Sequence, residues 1–171
     1  MLPIPIYALT PEHEFWPKLL DHLNTMKMRG AATENGAPKP DCIYLGVLVE
    51  DVVVGHITVR LQALTVPASH LSDEQPILLT RGDGQTLFEA YVQTFAVYPA
   101  FRRQGYGRAL QEAAMAHARE QGCYQMRSWS SADRTANYML KLALGFSVVP
   151  ALYPTPGGAP ISGVYFVKRL D

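Results

Sequence analysis

Apolar residues recur along this chain with two periods. Phe15, Trp16, Leu19, Leu20 and Leu23 follow at three- and four-residue steps, which gathers them on one stripe and predicts a helix over 11–28. Ala109, Leu110, Ala113, Ala114, His117 and Ala118 do the same over 107–121, and Ala136, Met139, Leu140, Ala143 and Leu144 over 133–144. Thr10 and Pro11 read as an N-cap and first helical residue, while Gly122 and Gly145 are placed to stop the later helices. Strand-like runs cover 4–9, 42–50, 52–64, 86–98, 124–130, 146–149 and 161–168. The break at Asp51 is short enough for a hairpin, and Arg81-Gly82-Asp83-Gly84 reads as a turn. Segments 30–40 and 150–160 read as loops, 65–76 as a surface excursion, and 77–80 as a small extra strand. This order predicts a mixed α/β sheet in one layered domain spanning 1–171, with an insert at 65–85 between the third and fourth strands.

Composition narrows the class without naming a partner. The 171 residues carry 15 basic and 15 acidic side chains, so no basic excess points to nucleic acid, and none is expected as a partner. Cys42 and Cys123 lie far apart and form no metal or disulfide framework; two reduced thiols fit an intracellular protein. His56 and His117 fall in different elements without ligand spacing, so no metal is expected. The start Met1-Leu2-Pro3-Ile4-Pro5 lacks a basic signal-peptide opening. No apolar run approaches the roughly 20 residues that span a bilayer. The expectation is a cytoplasmic protein with no membrane partner, in which the Arg81-Gly82-Asp83 triplet is a turn rather than an adhesion motif.

The chemistry concentrates after the long strand. Val97-Tyr98-Pro99 ends it, since proline cannot donate to a ladder. Arg102-Arg103-Gln104-Gly105-Tyr106-Gly107-Arg108 then turns into a helix. Glycines clear side chains from the turn, backbone N–H groups face outward at a helix N-terminus, and three arginines add positive charge, which together suit a pyrophosphate. A dinucleotide fingerprint needs a third glycine where Leu110 stands, and a Walker loop needs Lys-Ser/Thr where Arg108-Ala109 stand.

The segment resembles the acetyl-CoA-binding core of the GCN5-related N-acetyltransferase (GNAT) superfamily, whose Arg/Gln-x-x-Gly-x-Gly/Ala signature is filled by Arg102 to Gly107 and whose later Gly-Phe junction is matched by Gly145-Phe146. The resemblance is close over 86–149 and topological elsewhere. It implies a mostly antiparallel central sheet flanked by helices, with acetyl-CoA as acyl donor and no metal. It further implies backbone contacts from Phe95 and Val97, a pyrophosphate cradle of Arg102, Arg103, Gln104, Gly105, Gly107 and Arg108, and a further contact from Asn137. Many members carry Glu where Gln93 stands. Because Glu89, Tyr91, Gln93 and Phe95 alternate onto one side, Glu89 is the candidate base, against a bland role as a solvated strand-end carboxylate. The family's thiolate-protonating Tyr falls at Lys141, a departure, so Tyr138, Lys141 or no acid at all fills that role. Trp16 and Trp129 read as packing or site walls, and Cys123 has no base partner.

The implied activity is acetyl transfer to a primary amine of a small molecule or peptide. The alternatives are a non-catalytic acyl-CoA-binding module and a nucleotide-binding domain. Exposed strands late in such folds are compatible with a homodimer.

Overall fold

Proline placement and strand pairing set the element boundaries. The computed structural model describes residues 3–66, 76–153 and 158–170. The chain runs β1 (Tyr7–Ala8), α1 (Trp16–Thr25), α2 (Arg29–Ala32), β2 (Thr33–Glu34), β3 (Ala37–Pro38), β4 (Cys42–Val49), β5 (Val52–Ala63), β6 (Thr65–Val66) and β7 (Ile77–Leu78). It continues through β8 (Phe88–Val97), a short 3-10 turn (Pro99–Phe101), α3 (Tyr106–Glu120), β9 (Gln125–Ser131), α4 (Thr135–Ala143), β10 (Ser147–Tyr153) and β11 (Ile161–Arg169). The central sheet has the order β1-β4-β5-β8-β9-β11-β10. Every neighbouring pair in it is antiparallel except β8 and β9. The result is a mixed α/β single domain with a mostly antiparallel sheet.

Each face of the sheet has its own core. On one face α1 packs Trp16, Leu19 and Leu23 against Tyr44 and Val53. On the other, Leu110, Ala114 and Ala118 of α3 meet Ile57, Val59 and Val92. Full burial of a leucine- or valine-sized side chain stabilises by about 1.5–3 kcal/mol, so these two clusters fix the helices on opposite sides.

The departures from expectation have local causes. The first helix begins at Trp16 rather than 11, because Pro17 is tolerated only in a first turn, where its missing N–H is not needed. Residues 30–40, expected as a loop, hold α2 and the β2–β3 hairpin, which turns through Asn35 and Gly36 at φ 52° and 89°. The first strand shrinks to two residues. The expected loop from 150 begins instead with strand: β10 runs to Tyr153, and Pro150 is accommodated because β10 is an edge strand pairing only with β11. Residues 67–75 and 154–157 of the two expected loops lie outside the described residues; at the flanks of the first, Thr65 pairs with Leu78 and Val66 with Ile77.

The last helix, α4, turns a different face inward from the one periodicity suggests. Met139 is exposed, as are Ala136 and Ala143, whereas Lys141 is only 1% exposed. Its ammonium lies over the Phe146 ring and finds an acceptor on α3, so a lysine takes an interior position.

Candidate active site

The site originates in an irregularity of β8. Thr58 of β5 pairs with Thr94, but the next residue, Val59, pairs with Val92, leaving Gln93 as the extra residue of a β-bulge. Side chains reverse face there. Glu89 and Tyr91 pair with Gln62 and Arg60, on the side of His56 and α1, while Phe95 pairs with Ile57 on the α3 side. The expected alternation of Glu89, Tyr91, Gln93 and Phe95 onto one face is therefore corrected by the bulge. Parallel pairing of β8 with β9 covers only Glu89↔Gln125 to Val92↔Ser128. Beyond Val92 the strands diverge, and the backbone of Gln93–Val97 faces an opening instead of a neighbour.

Beside that opening, Arg103 and Gly105 take left-handed conformations at φ 64° and 90°, turning successive N–H groups into one concavity. Gly105 is the N-cap of α3 and no side chain caps the helix. The first helical bond runs from the Ala109 N–H to the Gly105 carbonyl at 3.0 Å, so the N–H groups of Tyr106, Gly107 and Arg108 lack helical acceptors. A Cβ on Gly107 would come 3.3 Å from Phe95 Cζ and 3.5 Å from Leu140 Cδ2, so glycine lets α3 approach both β8 and α4. Arg102 Nε donates to the Val97 carbonyl at 3.1 Å, Gln104 Nε2 to the Ala100 carbonyl at 3.2 Å, and Arg108 pairs with Glu112 at 3.3 Å. The first residues of α3 and those of the preceding turn are thus gathered at one end of the opening. Ser128 Oγ, at the last β8–β9 pair, and Asn137 Oδ1 on α4 are buried polar atoms without partners, which suits a ligand with several amide and phosphate groups.

Glu89 is not a solvated strand-end carboxylate: it is 1% exposed. Arg127 donates to both of its oxygens, at 2.5 and 2.9 Å, and Gln62 and Gln125 donate at 2.8 and 3.0 Å. Burial alone would raise its pKa, but these hydrogen bonds outweigh burial and hold the carboxyl below its ordinary value. It sits at the paired end of the strands rather than at the opening. Arg127, which has no local sequence signal, is also stacked between Tyr91 and Tyr165, 4.9 and 4.8 Å from the ring centroids.

On α4, Tyr138 packs edge-on against Phe166 with centroids 5.0 Å apart. Lys141 donates to Gln111 Oε1 at 2.8 Å and lies 4.2 Å from the Phe146 ring centroid. Burial pushes its pKa down to about 7. Behind β8, on the α1 side, His56 bonds Thr94 Oγ1 at 3.0 Å and meets His22 edge-on at 4.9 Å. Burial lowers the two to about 3 and about 4. Among the described residues no group of three His, Cys, Asp or Glu is placed to hold a metal, and no helix is long and apolar enough to cross a membrane.

Known proteins share this fold. Residues 8–146 match the model of the acetyltransferase (GNAT) family. No curated protein matches the chain by sequence. Among solved structures, Arabidopsis thaliana NAA60 in complex with acetyl-CoA superposes with a TM-score of 0.73 at 12% identity, covering 97% of this chain and 98% of its own. An aminoglycoside 6'-N-acetyltransferase complexed with coenzyme A gives 0.64 at 13% identity, covering 98% and 97%. The ribosomal-protein-S18-alanine N-acetyltransferase from Escherichia coli gives 0.60 at 16%, covering 97% and 94%. Fold and family together define an acyltransferase. The chain belongs to the GNAT acetyltransferase family.

Proposed function

We propose that the protein transfers an acetyl group from acetyl-CoA to a primary amine by direct attack on the thioester. The observation that carries this is the parting of β8 from β9 after Val92 and Ser128, next to the uncapped, glycine-bearing N-terminus of α3. In this assignment the N–H groups of Tyr106 to Arg108 and the guanidiniums of Arg102, Arg103 and Arg108 hold the pyrophosphate, with Gln104, Gly105 and Gly107 shaping the turn. Phe95 and Val97 offer backbone groups to the pantetheine arm, and Asn137 a side-chain amide. Solved neighbours named as complexes with acetyl-CoA or coenzyme A support the donor.

Lys141 is the proposed proton donor to the departing thiolate. A lysine exchanging its proton near neutrality suits that task better than one of ordinary basicity. Tyr138 is the alternative. Glu89 is assigned to holding β8 against β9, since it can take a proton only by giving up its bonds to Arg127. The same engagement of Glu89 favours the second reading, a non-catalytic acyl-CoA-binding module.

The deciding experiment is thermal unfolding with and without acetyl-CoA, using the wild type and an Arg102→Glu, Gly107→Glu variant. Saturation at one hundred times Kd stabilises the native state by about 2.7 kcal/mol, and the shift is expected to vanish in the variant. Thiol release with an amine panel then separates enzyme from binding module. No shift at millimolar acetyl-CoA sinks the proposal.

A further inference from the structure

The face of β9 and β11 turned away from α3 and α4 carries a cluster of aromatic side chains. Met126, Ser128 and Ser130 point to the buried core, so Arg127 and Trp129 point the other way, and Tyr165 pairs with Trp129 on that same side. Trp129 meets Tyr153 in a tilted ring contact with centroids 4.8 Å apart, and Tyr91 and Tyr165 flank Arg127. Gly163 makes room for the indole: a Cβ there would lie 2.8 Å from Trp129 Cζ2. Trp129 follows Ser128, the last residue of β9 paired to β8, so this surface begins where the opening begins. Tyr153 is 40% exposed, and Tyr91, Trp129 and Tyr165 are half-buried.

Its electrostatics are equally specific. Arg127 is matched by Glu89, whose oxygens are both bound, so the pair presents no free carboxylate to a ligand. Asp133, just past β9, is exposed, bonded by Ser131 and adjacent to Arg134 at 3.7 Å. With Glu89 engaged, the exposed Asp133 is the acidic group that these described residues offer, which suits a ligand with one ammonium group rather than several.

Resting on the function proposed above, we propose that this face is the acceptor subsite, and that the acceptor is a primary amine on an aromatic or bulky apolar body with a single positive charge. The body lies against Trp129 and Tyr153 while the amine, once neutral, reaches into the opening beside Gln93. The lone pair of the nitrogen forms the amide bond to the acetyl carbon, the thioester carbon–sulfur bond breaks, and the nitrogen's surplus proton is released as the thiolate is protonated.

The test compares 2-phenylethylamine, n-butylamine and a polycationic aminoglycoside as acceptors for acetyl-CoA, read as thiol release, with acetyl-CoA binding measured separately by thermal shift. The aromatic amine is expected to have the highest kcat/KM, about tenfold above n-butylamine. Tyr153→Ala, at an exposed position, and Trp129→Phe should each raise the amine KM severalfold while leaving the KM for acetyl-CoA unchanged. Preference for the aminoglycoside, or no acetylation of the aromatic amine although acetyl-CoA still raises the midpoint, overturns the acceptor assignment alone. Absence of the thermal shift strikes the donor site and the proposed function with it.

Discussion

Arg127 on β9 closes a two-point ion pair on Glu89 of β8, 2.5 and 2.9 Å from its oxygens, at the end of the short ladder that joins the two strands. Removing one partner of a buried pair leaves the other charge uncompensated, so Arg127→Met should destabilise the fold by about 3 kcal/mol, the lower end of the range because Arg127 keeps some contact with solvent. Urea unfolding measures it. Glu89→Gln should also lower stability while kcat of the folded fraction keeps its pH profile. A kcat collapse of about a hundredfold with loss of the basic limb would instead make Glu89 the proton acceptor.

Lys141 makes stability depend on alkaline pH. Its folded pKa of about 7 lies below the ordinary 10.5, so the unfolded chain binds the extra proton between those values. Stability should therefore rise with pH from about 7 to about 10.5, because it rises wherever the unfolded state holds more protons. Replacing both partners, Lys141→Met with Gln111→Leu, should abolish that rise and stabilise the protein at pH 7 by about 1–2 kcal/mol. If Lys141 is the thiolate's proton donor, the same variant loses about a hundredfold in kcat.

His22 and His56 act at the other end of the scale. Burial lowers both, to about 4 and about 3 against an ordinary 6.5. Their contribution is whole above pH 6.5 and is lost as pH falls toward 4 and 3, since the unfolded chain takes up protons first. His56→Gln, which can still bond Thr94, should unfold at a lower pH than the wild type in an acid titration followed by circular dichroism.

Gly163 should tolerate no side chain. An alanine Cβ would lie 2.3 Å from the Ser130 carbonyl oxygen and 2.8 Å from the Trp129 ring, and the first of these neighbours is backbone. Gly163→Ala should cost about 3 kcal/mol, with altered Trp129 fluorescence as its local signature.

The turn from β8 into α3, with its uncapped helix start, was legible because its signal is local: glycines, arginines and a terminating proline lie within a dozen residues of one another. The bulge at Gln93 was not, since it is defined by pairing with β5, and the sequence through Glu89, Tyr91 and Phe95 alternates as if the strand were regular. Helical periodicity found α4 but placed Met139 inward, because the interior position of Lys141 depends on Gln111, thirty residues away on another helix. The ionised state of Glu89 likewise depends on Gln62, Gln125 and Arg127, none of them its neighbours in sequence.

The parting of β8 from β9 reaches beyond the site it creates. One wing of the sheet, β1, β4, β5 and β8, is joined to the other, β9, β11 and β10, by four residue pairs, whereas β11 is joined to each of its neighbours by seven. The sheet is in effect two plates on a narrow hinge. On the acyl-CoA reading, a molecule lodged in that gap would act as a splint across it, stiffening the two plates against one another.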